Sequence, residues 1–457
     1  MHIKFVRIDE LYRTKGIVME KITKLFVPLF MGIISLVSFA NQIPLSPYST
    51  NRLIVKLKKG ETLSHFENVS RTQHLFEGVY VLYSKNINEL EKELKAENIF
   101  EYIEHDYYHD TIKLEQPTNI TKMLGEKKAS NTQFNDPGIA KQWSFLDESQ
   151  YGISVTKAYA SRDAGEPQAN IIVAVVDTGV DYNHQDLKNI MWTNEKEIAG
   201  NGIDDDGNGY IDDIHGINTL VRDNQGRATM NVMDGHSHGS HVSGIIAAEQ
   251  NNGIGIAGVA SHTKIMAIRT VPNDADELDV DVVEAFIYAA KNGAKIINCS
   301  FGKSVNEGGN AVHDAIDYIG KNYGVLVVVA AGNDTQNIDT ILTYPASYDN
   351  DNLMVVASTQ RRGGLSFFSN YGAKNVDLAS PGSDIFSTIP NNSYANMSGT
   401  SMATPNAVGV AAEVLSHHPE LGPVELKNHL MATVGPVPTF AGKMVAAGRI
   451  DLAKALK

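Results

Sequence analysis

The run IIVAVVDTG at residues 171–179 is a short apolar stretch that ends in a carboxylate and a glycine turn. Similar runs recur at residues 264–268, 295–297, 325–330 and 353–356, and stretches with helical spacing lie between them at 280–292 and 311–322. Strands buried on both faces form continuous apolar runs, and strands that alternate with helices are typical of parallel sheets. The sequence therefore predicts an α/β fold with a doubly wound, mostly parallel sheet.

The residues that directly follow the predicted strands are candidates for chemistry, because doubly wound sheets bind ligands at the carboxyl ends of their strands. Asp177 closes the first run, although an isolated Asp-Thr-Gly is more often a turn or a helix cap. Two further motifs argue against that alternative here. The motif DGHSHGSHVSG at 234–244 places His238 at the start of a predicted helix, and NMSGTSMATP at 396–405 places Ser401 before another.

These residue types can together break an acyl bond. A serine hydroxyl is a weak nucleophile until a base removes its proton, and a buried carboxylate must hold that base in the right tautomer. Ser401, His238 and Asp177 can fill these roles, and the helix N-terminus at Ser401 favours negative charge. Asn333, in the run AAGND at 330–334, could donate with the Ser401 backbone N–H to a developing oxyanion.

The histidines also allow other interpretations. They could be surface side chains, or His236, His238 and His241 could bind the zinc of a metal hydrolase. The spacing H-x-H-x-x-H is not the H-E-x-x-H of zinc proteases, and a zinc site would leave the Ser401 and Asn333 motifs without a role.

Taken together, these motifs resemble those of the subtilisin-like serine protease family, in the family's order of Asp, His and Ser. The resemblance covers about residues 136 to 456. It implies that Asp177 orients the imidazole, His238 is the general base, Ser401 is the nucleophile and Asn333 donates to the oxyanion, without a catalytic metal.

The same resemblance implies a substrate cleft. Ser300, Phe301 and Gly302 would line one wall and form backbone hydrogen bonds with an extended peptide, as an added strand does. Ala331 and Gly332 would line the opposite wall. A segment further along, Tyr344-Pro345-Ala346, resembles the part of the family fold that contains a cis-proline near the specificity pocket.

The stretch NGIDDDGNGYIDD at 201–213 places acidic or amide oxygens on alternate residues of a glycine-rich loop. Hard cations need several such oxygens on a tightly turned chain. The candidate calcium ligands are Asp204, Asp206, Asn208, the Tyr210 carbonyl, and Asp212 or Asp213. A solvated acidic loop is the alternative, but carboxylates this crowded repel one another without a cation. We predict structural, not catalytic, calcium.

The N-terminal region divides into three parts. Residues 48–110 contain strand-like and helical patterns, predict a small α+β unit, and resemble the propeptide domain of the family through weak cues. Residues 111–135 are polar and lack periodicity, so they predict an exposed, cleavable linker. The peptidase domain would then span 136–457. A merely structural N-terminal extension is the alternative.

Residues 1–40 are typical of a cleaved signal peptide. Lys21 and Lys24 precede the apolar run 25–40, and Met19 is a possible true start. A retained membrane anchor is the alternative, although the run is short for a membrane span. We therefore expect a secreted protein, extracellular or periplasmic, with no stable membrane anchor after the signal is removed.

Composition limits the partners. With 39 basic and 53 acidic residues the net charge is −14, which argues against nucleic acid as a partner. Cys299 is the only cysteine, so no intramolecular disulfide can form, and we interpret it as a small buried hydrophobe rather than a regulatory thiol.

The expected function follows from the resemblance. It implies a monomeric serine endopeptidase that hydrolyses peptide bonds in proteins through an acyl-enzyme. It also implies autoprocessing from a zymogen whose own propeptide is an intramolecular inhibitor. Two alternatives stay open: a catalytically silent, calcium-stabilised pseudoprotease that only binds, and a processing or peptide-ligating relative on the same scaffold.

Overall fold

The computed structural model describes six segments: residues 48–107, 114–123, 133–161, 165–274, 277–303 and 309–457. The predicted signal peptide at 1–40 lies outside the described residues. Within those segments, no helix combines the length and the apolar character that crossing a bilayer requires.

The N-terminal region forms a four-stranded antiparallel sheet with one helix. Its elements are β1 (Tyr48–Leu57), β2 (Arg71–Phe76), β3 (Val79–Tyr83), α1 (Ile87–Ala96) and β4 (Phe100–Tyr107). The strand order is β2-β3-β1-β4. Leu90 and Leu94 of α1 are fully buried against Leu53 and Val55 of β1 in a small core of their own. The α+β architecture predicted for this region is therefore present.

A ten-stranded sheet forms the centre of the larger region. Its strands are β6 (Ile171–Asp177), β7 (Gly216–Arg222), β8 (Ala228–Thr229), β9 (Thr263–Arg269), β10 (Ile296–Cys299), β11 (Leu326–Ala330), β12 (Leu353–Thr359), β13 (Leu378–Pro381), β16 (Gly435–Pro436) and β17 (Gly448–Arg449). The spatial order is β16-β17-β13-β12-β11-β10-β6-β9-β7-β8. The pairs from β7 to β17 are parallel, and only the edge pairs β7–β8 and β16–β17 are antiparallel.

Helices cover both faces of this sheet. They are α2 (Val155–Ser161), α3 (His238–Ala247), α4 (Asp279–Lys291), α5 (Asn310–Tyr323), α6 (Thr400–His417), α7 (Pro423–Ala432) and α8 (Leu452–Ala455). Alternate residues of β6 point to opposite faces, so Val173 and Val175 pack in the core that includes α3 and α6, whereas Ala174 and Val176 pack in the core that includes α4 and α5. The predicted doubly wound α/β fold is confirmed.

A second, three-stranded sheet lies beside the central one. It consists of β5 (Thr118–Thr121), β14 (Ile385–Ile389) and β15 (Ser393–Met397), in the order β14-β15-β5. Strand β5 falls within the predicted linker, where the sequence showed no strand pattern. It forms because β15 offers an edge for antiparallel pairing, with Thr121 opposite Tyr394, and no local signal could reveal that partner.

The N-terminal sheet contacts α4 and α5 through both charged and apolar groups. Lys56 Nζ lies 2.7 Å from Asp314 Oδ2, and the ring centroids of Phe76 and Tyr318 are 5.0 Å apart. Glu104 Oε1 accepts the backbone N–H of Asn310 at 2.9 Å, and Asp106 Oδ1 accepts that of Val280 at 3.0 Å. Two carboxylates of β4 therefore cap the N-termini of both helices, where negative charge is stabilising.

Candidate active site

Asp177 and His238 form a buried hydrogen-bonded pair. Asp177 is the last residue of β6 and His238 is the first residue of α3, and the Asp177 Oδ1 to His238 Nδ1 distance is 2.7 Å. His238 was predicted to lie at a helix start, and it does. Strand β6 and helix α3 thus fix the two side chains from opposite sides of the contact.

Ser401 and Asn333 lie at the same edge of the sheet. Ser401 is the second residue of α6, and its Oγ donates to the Ser300 carbonyl at 3.1 Å. Asn333 follows β11 by three residues, and its Oδ1 accepts the Thr400 backbone N–H at 2.8 Å. All four predicted catalytic residues therefore lie where strands of the sheet end or helices begin, at one edge of the sheet.

The linker brings a fifth group, Glu115, into this cluster. Its Oε2 lies 2.9 Å from His238 Nε2, and its Oε1 accepts from Asn333 Nδ2 at 3.0 Å. Burial alone would raise the pKa of Glu115, but hydrogen bonds from His238 and Ser401 outweigh it and lower that pKa. Glu115 therefore occupies the space in which a substrate carbonyl would meet these groups. The sequence analysis missed it, because it carries no motif.

Two flanking carboxylates favour the charged form of His238. Burial alone would lower its pKa, but the carboxylates of Asp177 and Glu115 raise it well above the ordinary value. Ionised carboxylates only accept hydrogen bonds, so these two contacts favour a proton on each ring nitrogen. An imidazolium cannot take the proton of Ser401, and Glu115 contacts the Nε2 atom that would accept it.

The two predicted cleft walls face each other across Thr343. A Cβ atom on Gly302 would lie 3.8 Å from Thr343 Cγ2, and one on Gly332 would lie 3.7 Å from the same methyl. Thr343, which the sequence analysis did not single out, therefore lies between the two predicted walls. The next peptide bond, Tyr344–Pro345, is cis, as the resemblance implied.

A sequence model described as the subtilase family matches residues 168–448, a span that contains the whole Asp177, His238, Asn333 and Ser401 cluster. The chain belongs to the subtilase family.

Relatives agree with that assignment. The chain is 32% identical over 356 residues to "Subtilisin-like protease 1" of Plasmodium vivax, covering 73% of this chain and 54% of the relative. It is 36% identical over 283 residues to "Thermitase" of Thermoactinomyces vulgaris, covering 62% and 85% respectively. This subtilase thus spans about half the length of the Plasmodium relative.

A solved structure shows the same fold. A protease from Pseudoalteromonas arctica PAMC 21717 superposes with a TM-score of 0.57 at 26% sequence identity, covering 71% of this chain and 99% of the other. The α/β architecture and the family inferred from the motifs are both confirmed.

The three histidines of the zinc alternative face different groups in this subtilase. His238 faces Asp177 and Glu115, whereas His241 Nε2 lies 3.0 Å from the Ile385 carbonyl and 3.1 Å from that of Ala395. Burial lowers the pKa of His241 to about 3. His236 contacts Gln116 of the linker at 2.9 Å. The three imidazoles therefore do not face one position at which a zinc ion could bind all of them.

Cys299 lies at the end of β10 and is fully buried. Burial raises the pKa of its thiol well above the ordinary value, so the reactive thiolate is disfavoured. This environment suits the interpretation of Cys299 as a small buried hydrophobe.

The acidic loop of the subtilase brings carboxylates together from two places. Oxygen atoms of Glu197, Asp204 and Asp206 all lie within 4.8 Å of one another. Glu197 precedes the predicted motif by several residues, which is why the spacing of that motif did not reveal it. Its Oε1 is held in place by the backbone N–H groups of Asp205 and Asp206 at 2.8 and 3.1 Å.

The other predicted calcium ligands have different surroundings. Asp212 accepts three backbone N–H groups from residues 200–202. Asp213 accepts the Tyr288 hydroxyl at 2.6 Å and the Asn208 side-chain amide at 3.0 Å. The Tyr210 hydroxyl donates to Glu284. Asp204 and Asp206 also accept backbone N–H groups, from Asn208 and Gly209, but their carboxylates lie beside Glu197 as well.

Proposed function

We propose that this subtilase is a serine endopeptidase that hydrolyses peptide bonds in proteins through an acyl-enzyme. The observation that carries the proposal is the convergence of Asp177, His238, Ser401 and Asn333 at the carboxyl edge of the parallel sheet. The Plasmodium relative and the Pseudoalteromonas structure are both named as proteases. All four catalytic residue types are present and Asp177 is hydrogen-bonded to His238, which argues against a silent pseudoprotease.

The chemistry follows from the positions of these groups. Once Glu115 leaves, His238 loses a carboxylate that raises its pKa, and its Nε2 becomes free to accept the proton of Ser401. Ser401 Oγ then turns from the Ser300 carbonyl to attack the substrate carbonyl. The Asn333 side-chain amide, with the Ser401 backbone N–H, stabilises the oxyanion, and His238 returns the proton to the leaving amine.

The N-terminal region acts as an intramolecular inhibitor in this proposal. Residues 48–107 cap two helices of the peptidase region, and residues 114–121 run through the catalytic cluster and pair with β15. Self-cleavage near Glu115 would release the domain, since the reactive serine and a peptide chain of the same molecule are already together. We place the processing site within residues 111–135.

Structural calcium and export complete the proposal. Glu197, Asp204 and Asp206 would hold the ion, with Asn208, the Tyr210 carbonyl, and Asp212 or Asp213 as further oxygen ligands. The ion would neutralise the loop and take no part in the chemistry. The basic and apolar pattern at 1–40 supports export, and we expect the processed enzyme to be a monomer.

The test compares full-length wild type with Ser401→Ala by intact mass over time, in calcium, with a parallel casein digest. We expect wild type to shed its N-terminal region by cleavage within residues 111–135 and to digest casein. The Ser401→Ala variant should stay full length. If both proteins remain intact and inert while folded, the self-processing protease is wrong and a pseudoprotease becomes the better account.

A further inference from the structure

A buried carboxylate that is not part of the triad joins the two segments that carry Asp177 and His238. The Asp234 side chain is 8% exposed. Its Oδ1 accepts the Thr178 hydroxyl at 2.9 Å and the backbone N–H groups of His236 and Ser237 at 2.8 and 2.9 Å. Its Oδ2 accepts the Ser240 N–H at 3.0 Å. Four donors, from the segments on both sides of the Asp177–His238 pair, thus hydrogen-bond to the Asp234 carboxylate.

Thr178 transmits this restraint to the catalytic aspartate. Its backbone N–H donates to Asp177 Oδ1 at 2.7 Å, the same oxygen that contacts His238 Nδ1. Its hydroxyl donates to Asp234 and accepts the Gly239 N–H at 3.0 Å. The direction of the catalytic carboxylate therefore depends on Thr178, and the position of Thr178 depends on Asp234.

The histidine side of the contact depends on Asp234 as well. Ser237, directly before His238, has φ 109° and ψ −15°, a backbone conformation that non-glycine residues rarely adopt. Such a residue persists only where its surroundings hold it. The backbone N–H groups of Ser237 and His236 both donate to the Asp234 carboxylate. This carboxylate therefore stabilises the turn that places His238 at the start of α3.

The backbone segments that carry Asp177 and His238 are in direct contact at two glycines, with no room for a side chain between them. A Cβ atom on Gly239 would lie 2.0 Å from the Gly179 carbonyl oxygen, and one on Gly179 would lie 2.5 Å from that of Val232. Close contact alone sets the distance between the segments. It does not set the rotation of one segment relative to the other. Hydrogen bonds must fix that rotation, because they have defined directions.

We propose that Asp234 is a positioning residue that acts through Thr178 and the Ser237 turn to fix the geometry of the Asp177–His238 hydrogen bond. It touches neither substrate nor reacting atoms. Its kinetic effect rests on the proposed peptidase function, whereas its structural effect does not.

The first test is Asp234→Asn in the full-length chain. The substitution keeps the size of the side chain but removes the charge and presents an amide donor to at least one of the four N–H or O–H groups. We expect the first-order rate of self-cleavage to fall about 10- to 100-fold, as small misplacements of catalytic groups do. The rise of that rate with pH should also move to lower pH, because a loosened Asp177 contact stabilises the imidazolium less.

Asp181→Asn is the matched control. Asp181 is 7% exposed and likewise accepts backbone N–H groups, those of Asn183 and Asn391 at 3.1 and 2.9 Å, but its side chain does not join the catalytic segments. We expect its rate and pH profile to match wild type. An equal loss in Asp181→Asn would show that removing any buried carboxylate here has the same effect, and would overturn the proposal.

Thr178→Val keeps the inference testable if Asp234→Asn does not fold. Valine retains the shape of threonine and deletes the hydroxyl that links Asp234 to Gly239. We expect a loss in the same direction, and no further loss when both substitutions are combined, because they break one network. Folded Thr178→Val with a wild-type rate and pH profile would contradict the proposal.

A spectroscopic readout separates this inference from the proposed function. The proton between His238 Nδ1 and Asp177 should give a strongly downfield proton NMR signal in the full-length chain. Asp234→Asn and Thr178→Val should shift or broaden it, and Asp181→Asn should not. If wild type never cleaves itself, the peptidase proposal fails, and this signal still decides the role of Asp234: an unmoved signal in both folded variants refutes it.

Discussion

The catalytic cluster and the acidic loop both gather carboxylates, but they neutralise the negative charge in different ways. In the cluster, Asp177 and Glu115 contact the two nitrogens of one imidazole at 2.7 and 2.9 Å. In the loop, Glu197, Asp204 and Asp206 face one another, and no lysine or arginine of the described segments forms an ion pair with them. The cluster thus pairs its carboxylates with a cationic side chain of the same chain, whereas the three loop carboxylates could hold a metal ion.

The largest expected effect comes from removing the imidazole of the cluster. His238→Ala in the full-length chain should slow self-cleavage by about a millionfold, because a serine without its base is hardly nucleophilic. His236→Ala is the control, since its ring lies in the same motif but outside the triad. Intact mass over days measures both. Equal loss in the two variants would favour a shared metal site over the triad.

Removing the oxyanion donor should have the next largest effect. Asn333→Ala should slow self-cleavage by about 10²- to 10³-fold. The variant also loses one hydrogen bond to Glu115, which weakens the block, but a single hydrogen bond contributes only about 0.5–1.5 kcal/mol net. The chemical loss should therefore dominate. Self-cleavage as fast as wild type would show that Asn333 serves only to hold the linker.

Removing the blocking charge should have a smaller effect, of opposite sign. Glu115→Gln should speed self-cleavage about tenfold at neutral pH, because a hydrogen bond to a charged group is lost only in the blocked state. Gln116→Ala, a change at the adjacent residue, is the control and should leave the rate near that of wild type. An unchanged rate in Glu115→Gln would mean that Glu115 does not limit activation.

The pH dependence of activation follows from the same pair. Burial opposes both charges, yet the pKa of Glu115 is lowered and the pKa of His238 is raised. The ion pair therefore stabilises the blocked state between those two pKa values and is lost as pH rises through the raised pKa of His238. Self-cleavage should accelerate toward alkaline pH. In Glu115→Gln the rise should occur at lower pH, because one of the two carboxylates that raise the pKa is gone.

The smallest effect concerns the loop and should appear in stability alone. A cation at 100 times its dissociation constant adds about 2.7 kcal/mol, so chelation should lower the Tm by several degrees and leave the rate at low temperature unchanged. Glu197→Gln should lower the Tm in calcium and lose its response to chelator. Asp205→Asn is the control within the loop, because its carboxylate binds the Ile198 N–H and the Asn201 amide. A Tm that ignores chelator would contradict the calcium site.

The sequence predicted those parts of the site that local motifs carry. Asp177, His238, Asn333 and Ser401 each lie at the end of an apolar strand or the start of a helix, so the strand and helix patterns locate them. Apolar runs likewise predicted the parallel sheet, because strands buried on both faces leave that pattern.

The parts that the sequence could not predict depend on partners distant along the chain. Glu115 has no motif, and only the pairing of β5 with β15 brings it to His238. Glu197 lies near Asp204 because the loop folds back on itself, and Thr343 lies between Gly302 and Gly332, which are distant from each other along the chain. Asp234 lies inside a recognised motif, but its role appears only when Thr178 is beside it in space.

The most direct test of the central claim is covalent labelling of the nucleophile. Full-length wild type, allowed to process itself, would be treated with a fluorophosphonate beside Ser401→Ala and analysed by intact mass and peptide mapping. We expect one adduct, on Ser401, in the processed form alone, and none in the variant. No adduct in folded, processed protein, or an equal adduct in Ser401→Ala, would contradict the assignment of Ser401 as the nucleophile that the N-terminal region blocks.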